Sequence, residues 1–233
     1  MVNGLKKTVF KLIDKVLAQE GHVLAIRKWT PASMYEIDLF LPGVDMDKWT
    51  TIPRLKIKVD ESGVYRDYTP ATWDAGTKTC MVLIETDHEG FGSGWAKNLG
   101  AGDKIIFAPA HAAPLPAVPG KIAGFGDGSA LGHFLALKQL TDRGKYPLQV
   151  FIFLNEIYAL PDYFVQSHPE FEFIMKPKAG SLDSLGRFTE KKTWTDYTAI
   201  YIAGYIPMVS GLRKIFKNRP DVNARIYAHG FWS

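Results

Sequence analysis

The chain of 233 residues carries a single cysteine, Cys80, so it can form no internal disulfide and no thiolate metal cluster. That usage suits a reducing compartment, and a cytoplasmic location is expected. No apolar run approaches the ~20 residues that cross a bilayer as a helix. The first residues include lysines but neither an unbroken apolar stretch nor a small-residue cleavage site, so neither a transmembrane segment nor a secretory signal is expected. The formal charge is only +4, without the long Lys/Arg block that grips nucleic acid. No nucleic-acid partner is expected; the slight basic excess suits small anionic ligands better. The six histidines are scattered without metal-ligand spacing. No Ser–His–Asp set, internal repeat or low-complexity tract stands out.

What the chain does have is apolar mass. At 46% apolar and 13% aromatic residues it can bury a substantial core, and general disorder is excluded. Residues 5–17, LKKTVFKLIDKVL, repeat apolar side chains at helical spacing with lysines opposite, which predicts an amphipathic helix within 1–20. Across 21–111 six short segments rich in branched and aromatic residues alternate with Gly, Pro, Asp and Ser. That pattern predicts a six-stranded antiparallel β-barrel. The prolines at 114, 116 and 119 exclude a helix or central strand, making 112–119 a linker. From 120 to 233 near-continuous apolar strands alternate with helices, the signature of a Rossmann-like parallel α/β domain.

Three stretches carry candidate chemistry. In YRDYTP, 65–70, Arg66 and Tyr68 share one face of a strand, and Pro70 marks a bend or strand end beside Thr69. A cation, an aromatic plate and a hydroxyl gathered there suit a flat, charged ligand. In HEGFGSGWA, 88–96, three glycines and a serine before a short helix can converge backbone N–H groups on a pyrophosphate. Arg66 could then grip the same phosphates bidentately. In AGFGDGSALG, 123–132, a G-x-G-x-x-S pattern lies between a strand and a helix, where a Rossmann phosphate loop belongs, with Ser129 in place of the third glycine.

In this combination, over roughly residues 20 to 233, the chain resembles the ferredoxin-reductase-like flavoproteins, and most closely the siderophore-interacting proteins, which are FAD-dependent ferric-siderophore reductases. Their barrel signature R-x-Y-[ST] is matched by Arg66, Tyr68 and Thr69. Their G-P-x-S-x-W-A loop is matched by Gly90, Ser93, Trp95 and Ala96, with Phe91 replacing proline and His88 shortly before it. Gly126, Asp127, Ser129 and Ala130 match G-D-x-[ST]-A-x-P, with Gly132 for proline; Gly230, Phe231 and Trp232 match a closing G-Y-W.

The resemblance implies that FAD is the cofactor. Arg66 would neutralise its pyrophosphate, and Gly92, Ser93 and Gly94 would donate to the phosphates with Trp95 supporting their loop. Tyr68 would stack on the isoalloxazine. Thr69 would act near flavin N5, and Trp232 would guard the other flavin face. His88, Gly126, Asp127 and Ser129 complete the implied nucleotide-binding set. Lys56 falls where the family keeps a lysine and would meet the anionic iron chelate; iron itself would need no protein ligand. Two departures bear on the donor: Ala203 stands where broader ferredoxin reductases have a cysteine, and Tyr205 replaces the acid of A-G-E. NAD(P)H and ferredoxin both remain open as donors. Glu156 would favour NAD, whereas Lys176, Lys178 and Arg187 could receive a 2′-phosphate. The implied activity is electron transfer to a ferric siderophore. A general flavin or ferric-chelate reductase, an electron-transfer flavoprotein and a non-redox binding module are the alternatives.

Overall fold

The computed structural model describes residues 18–31, 33–141, 144–155, 160–176 and 182–232. The amphipathic stretch 5–17, Glu156 and Lys178 lie outside these residues. Two compact units divide the chain: one holds the residues up to Lys28 and Met34–Ala113, the other Trp29–Ser33 and Pro114–Ser233. No helix among the described residues is long and apolar enough to cross a membrane.

The first unit is built on strands β1 (Gln19–Lys28), β2 (Met34–Phe40), β3 (Leu55–Lys58), β4 (Tyr65–Tyr68), β5 (Pro70–Asp74), β6 (Thr79–Glu85) and β7 (Lys104–Pro109), with helix α1 (Phe91–Asn98) between β6 and β7. They form one antiparallel sheet in the order β4-β3-β7-β1-β2-β6-β5. The edge strands β4 and β5 are consecutive in the chain, separated by Thr69 alone. The two sheet edges therefore meet at one residue, and the sheet is rolled into a half-barrel. Its interior is a cluster of alternating inward residues, among them Val23, Ile37, Leu39, Ile57, Val82, Ile105 and Phe107. A bulge between Val23 and Ala25 turns Leu24 outward, leaving it 48% exposed.

The expected count of six strands is corrected to seven. Pro70, read as a bend or strand end, instead begins β5. A strand's first residue is one of the few places where a missing N–H costs no ladder bond. Helix α1 also starts earlier than the glycine content suggests, so Gly92 and Gly94 lie inside its first turn rather than in a preceding loop.

The second unit contains β8 (Lys121–Asp127), α2 (Leu131–Leu140), β9 (Leu148–Asn155), α3 (Asp162–Ser167), β10 (Phe171–Lys176), α4 (Leu182–Glu190), β11 (Tyr197–Tyr205), α5 (Ile206–Lys217) and β12 (Arg225–Trp232). Its sheet runs β10-β9-β8-β11-β12 with every neighbouring pair parallel. Strand order reverses between β8 and β11, the topological switch point of a doubly wound sheet. One sheet face packs Ala123 and Phe125 against Leu185 of α4 and Met208, Leu212 and Phe216 of α5. The other packs Gly124 and Gly126 against α2: an added Cβ would lie 2.7 Å from Phe134 at Gly124 and 2.6 Å from Ala130 at Gly126. Helix α4 and strand β12 have no counterpart in the sequence reading. Gly186 interrupts the first, and polar Arg225 and His229 dilute the second.

Candidate functional site

In the first unit the predicted residues of β4 and α1 come together. A Cβ added to Gly92 would lie 2.5 Å from Tyr68 Oη and 3.6 Å from Arg66 Cγ. The N-terminal turn of α1 thus rests directly on the face of β4 that carries both side chains. Trp95, one turn on, stacks on Tyr68 with centroids 5.8 Å apart and planes at 22°. The Arg66 guanidinium lies 5.8 Å over the Phe91 ring and donates to the Tyr65 carbonyl at 2.9 Å. Phe91, standing where a proline was expected, is 54% exposed. Ser93 is buried, with its Oγ 3.3 Å from His88 Nδ1.

The chemistry of this donor set is anionophilic. Gly90 caps α1 with no side-chain hydrogen bond, so the Phe91, Gly92 and Ser93 N–H groups stand at the positive end of the helix without an internal acceptor; Gly94 N, expected among the phosphate donors, instead donates to the Gly90 carbonyl at 2.9 Å. A Cβ at Gly94 would meet nothing within 4 Å, so the helix is open on that side. Arg66 adds a full positive charge, and among the described residues no carboxylate bonds to it. Burial pushes the Tyr68 phenol well above its usual value, partly offset by Arg66, so its ring is neutral at physiological pH. A pyrophosphate against amides and guanidinium, beside a neutral aromatic plate, matches FAD. The residues present fit that cofactor.

Two predicted residues stand differently. Thr69 is the hinge between β4 and β5. Lys56 faces Asp67 across the β3–β4 pair and donates to it at 2.7 Å, so it presents a neutral ion pair in place of a lone cation.

In the second unit the switch point gathers Gly126, Asp127, Ser129 and Trp232. Asp127 ends β8, and its carboxylate accepts from Ser129 N at 3.1 Å, Ser129 Oγ at 2.5 Å and Tyr205 N at 2.7 Å. Ser129 Oγ in turn accepts from Trp232 Nε1 at 3.1 Å. The Tyr205 ring lies 4.5 Å from Trp232. Gly204 has φ +117 and no room for a Cβ, which would fall 2.5 Å from Asp127 Oδ1. That position demands glycine. Tyr205 departs from the A-G-E pattern, and its contact with Trp232 joins residues far apart in sequence and carries no local signal. Arg187, on α4, is exposed and apart from this network.

A rolled antiparallel sheet followed by a five-stranded parallel sheet with this strand order defines the ferredoxin-reductase-like fold. Among solved structures the chain is similar to a siderophore-interacting protein from Acinetobacter baumannii, with TM-score 0.73, 16% identity, and coverage of 92% of this chain and 89% of that one. It is also similar to a siderophore utilization protein from T. fusca, with TM-score 0.70, 18% identity and 92% coverage of both chains. The ferredoxin reductase in carbazole 1,9a-dioxygenase gives TM-score 0.74 and 18% identity over 92% of this chain and 68% of that one. At such identities the shared property is the fold, as the motifs led one to expect. No protein-family model and no curated protein sequence matches the chain.

Proposed function

We propose that the protein is an FAD-dependent oxidoreductase that passes electrons from NAD(P)H or a ferredoxin to a ferric siderophore, so that Fe(II) is released. The observation that supports the flavin part is the seating of α1's glycine-opened N-terminus on Arg66 and Tyr68, with no carboxylate among the described residues bonded to the arginine. Arg66 and the Gly92 and Ser93 amides would hold the pyrophosphate, and Gly94 leaves that approach open. Tyr68, braced from behind by Trp95, would orient the ring system. Thr69, fixed between two strands, would hold a proton at flavin N5 by its hydroxyl or backbone. His88 would keep the Ser93 hydroxyl in place. Bound FAD would supply the redox chemistry, taking electrons as a pair from NAD(P)H or singly from a ferredoxin and giving them up one at a time.

One observation favours ferredoxin over a nicotinamide donor. At the β8 turn the Asp127 carboxylate already takes the Ser129 and Tyr205 donors, so a dinucleotide phosphate placed there would meet negative charge instead of free amides. The acceptor assignment leans on the similarity to siderophore-interacting proteins and on the mild basic charge.

The test begins with the absorption spectrum of the purified protein before and after FAD is added. Anaerobic NADH, NADPH and reduced ferredoxin follow, and then a rate ranking of ferric siderophores against ferric citrate and free flavin. Arg66→Ala should weaken FAD binding by roughly 10- to 100-fold, the loss of one charged hydrogen-bonding group. A protein that stays colourless with excess FAD overturns the flavin reading. Equal rates on all ferric chelates reduce it to a general ferric reductase.

A further inference from the structure

Position 91 runs against local preference. It is the first residue of α1, where proline is favoured, because its fixed φ suits the helix and the amide it lacks would have no partner inside it. Phenylalanine gives up that advantage and is a weaker helix former than most. Its ring is not used for the core either. Trp95 and Leu99, further along α1, pack against the half-barrel interior, whereas Phe91 stays 54% exposed at the edge of an open groove that it shares with Val59. Neither helix formation nor core packing accounts for phenylalanine here.

Two features separate phenylalanine from proline at this place, and both bear on an anion. The first is the backbone N–H. Gly94 is the first amide of α1 with an acceptor inside the helix, so Phe91 supplies one of the three donors that precede it, and proline would leave two. The second is the ring. The Arg66 guanidinium lies 5.8 Å over it, within the ~6 Å reach of a cation–π contact. Elsewhere in this unit cations are held by opposite charge: Arg27 by Glu36 and Asp38, Lys56 by Asp67. A carboxylate would fix Arg66 equally well but would cancel its charge. The phenyl ring and the Tyr65 carbonyl, 2.9 Å from Arg66 Nη1, hold it and leave the charge whole.

We propose that Phe91 is a phosphate-binding residue through its amide and the positioning residue of Arg66 through its ring. The proposal rests on the flavin reading and deepens it: the amide donates to the FAD pyrophosphate, and the ring keeps the guanidinium directed at the same phosphates. One contribution belongs to the backbone and the other to the side chain, so substitution separates them. Phe91→Leu keeps the N–H and removes the ring. Phe91→Pro removes both. Phe91→Trp keeps both, with the aromatic that binds cations best.

The three variants are titrated with FAD and with riboflavin, which has the same ring system and no phosphate, by flavin fluorescence. Inorganic pyrophosphate is titrated by calorimetry. Phe91→Leu should bind FAD and pyrophosphate about two- to fivefold more weakly, the worth of one cation–π contact at an exposed site. Phe91→Pro should lose roughly a further tenfold or more, the worth of a hydrogen bond to a charged group. Phe91→Trp should match the wild type, and riboflavin affinity should be the same in all four proteins. Helix content by circular dichroism should hold even in Phe91→Pro, because Gly90 already has the extended backbone, φ 174 and ψ 161, that a following proline requires. Unchanged FAD affinity in Phe91→Leu overturns the positioning role, and equal affinities of Phe91→Leu and Phe91→Pro overturn the amide's role. Equal losses for FAD and riboflavin make Phe91 a merely structural residue and overturn both. A wild-type protein that binds pyrophosphate, loses it in Phe91→Pro and takes no flavin supports the anion role of Phe91 while the flavin reading falls.

Discussion

The contact between Gly92 and Tyr68 can be tested by adding one methyl group. In an exposed helix, Gly→Ala gains about 1 kcal/mol of helix propensity. At Gly92 the new Cβ would lie 2.5 Å from Tyr68 Oη, well inside contact distance. The phenol cannot easily retreat: its ring is stacked on Trp95, and its backbone is paired with Leu55 on β3. Overpacking of this kind costs about 1–3 kcal/mol, so the net change for Gly92→Ala is a loss of roughly 1 kcal/mol. Gly94 is the internal control. It sits in the same turn with nothing within 4 Å of its added Cβ, so Gly94→Ala should keep the gain of about 0.5–1 kcal/mol. The two variants should differ by roughly 2 kcal/mol, or about 4–8 °C in melting temperature for a chain of this size. Calorimetry or circular dichroism of the FAD-free protein reads that difference. Under the proposed function, FAD titration should then show Gly92→Ala binding about tenfold more weakly, because helix and tyrosine are pushed apart where both would contact the cofactor. If both variants raise the melting temperature equally, Tyr68 does not pack on α1 and the site as described is wrong.

Ser129→Ala removes the acceptor of the Trp232 indole N–H; it should increase acrylamide quenching of tryptophan fluorescence at a stability cost of about 1 kcal/mol, and unchanged quenching would show that Tyr205 alone holds the indole. Cys80 is 3% exposed, and burial pushes its thiol from the usual 9.0 up to about 12. A disulfide reagent at pH 8 should therefore label the native protein about a thousandfold more slowly than the unfolded one. The folded state prefers the protonated thiol, so this preference is fully present below pH 9.0 and lost as pH rises towards 12; urea titrations at successive alkaline pH values should show the falling stability, and a Cys80→Ala variant should lack that component.

The order of elements was legible in the sequence because it rests on periodicity, which is local. Alternation along β2 and the apolar run of β8 report their burial without knowledge of the partners. The division at Thr69 was not legible, because Pro70 is compatible with a bend, a strand end or a strand start, and only pairing with β6 decides. The glycines divide along the same line. A glycine reports that a Cβ is missing, but not what fills its place. At Gly124 and Gly126 the space is taken by Phe134 and Ala130, at Gly92 by Tyr68, and at Gly204 by Asp127. At Gly94, by contrast, the space stays open. A phosphate-loop pattern therefore joins two different physical demands: close packing of helix on strand, and access for a ligand. In the β8 turn the first demand accounts for both glycines of G-x-G, and Asp127 supplies the anion at the helix start. In α1 both demands are met by different glycines of one turn. That difference between two similar sequence patterns is why the flavin assignment rests on the first unit, and why the donor assignment turns on Asp127.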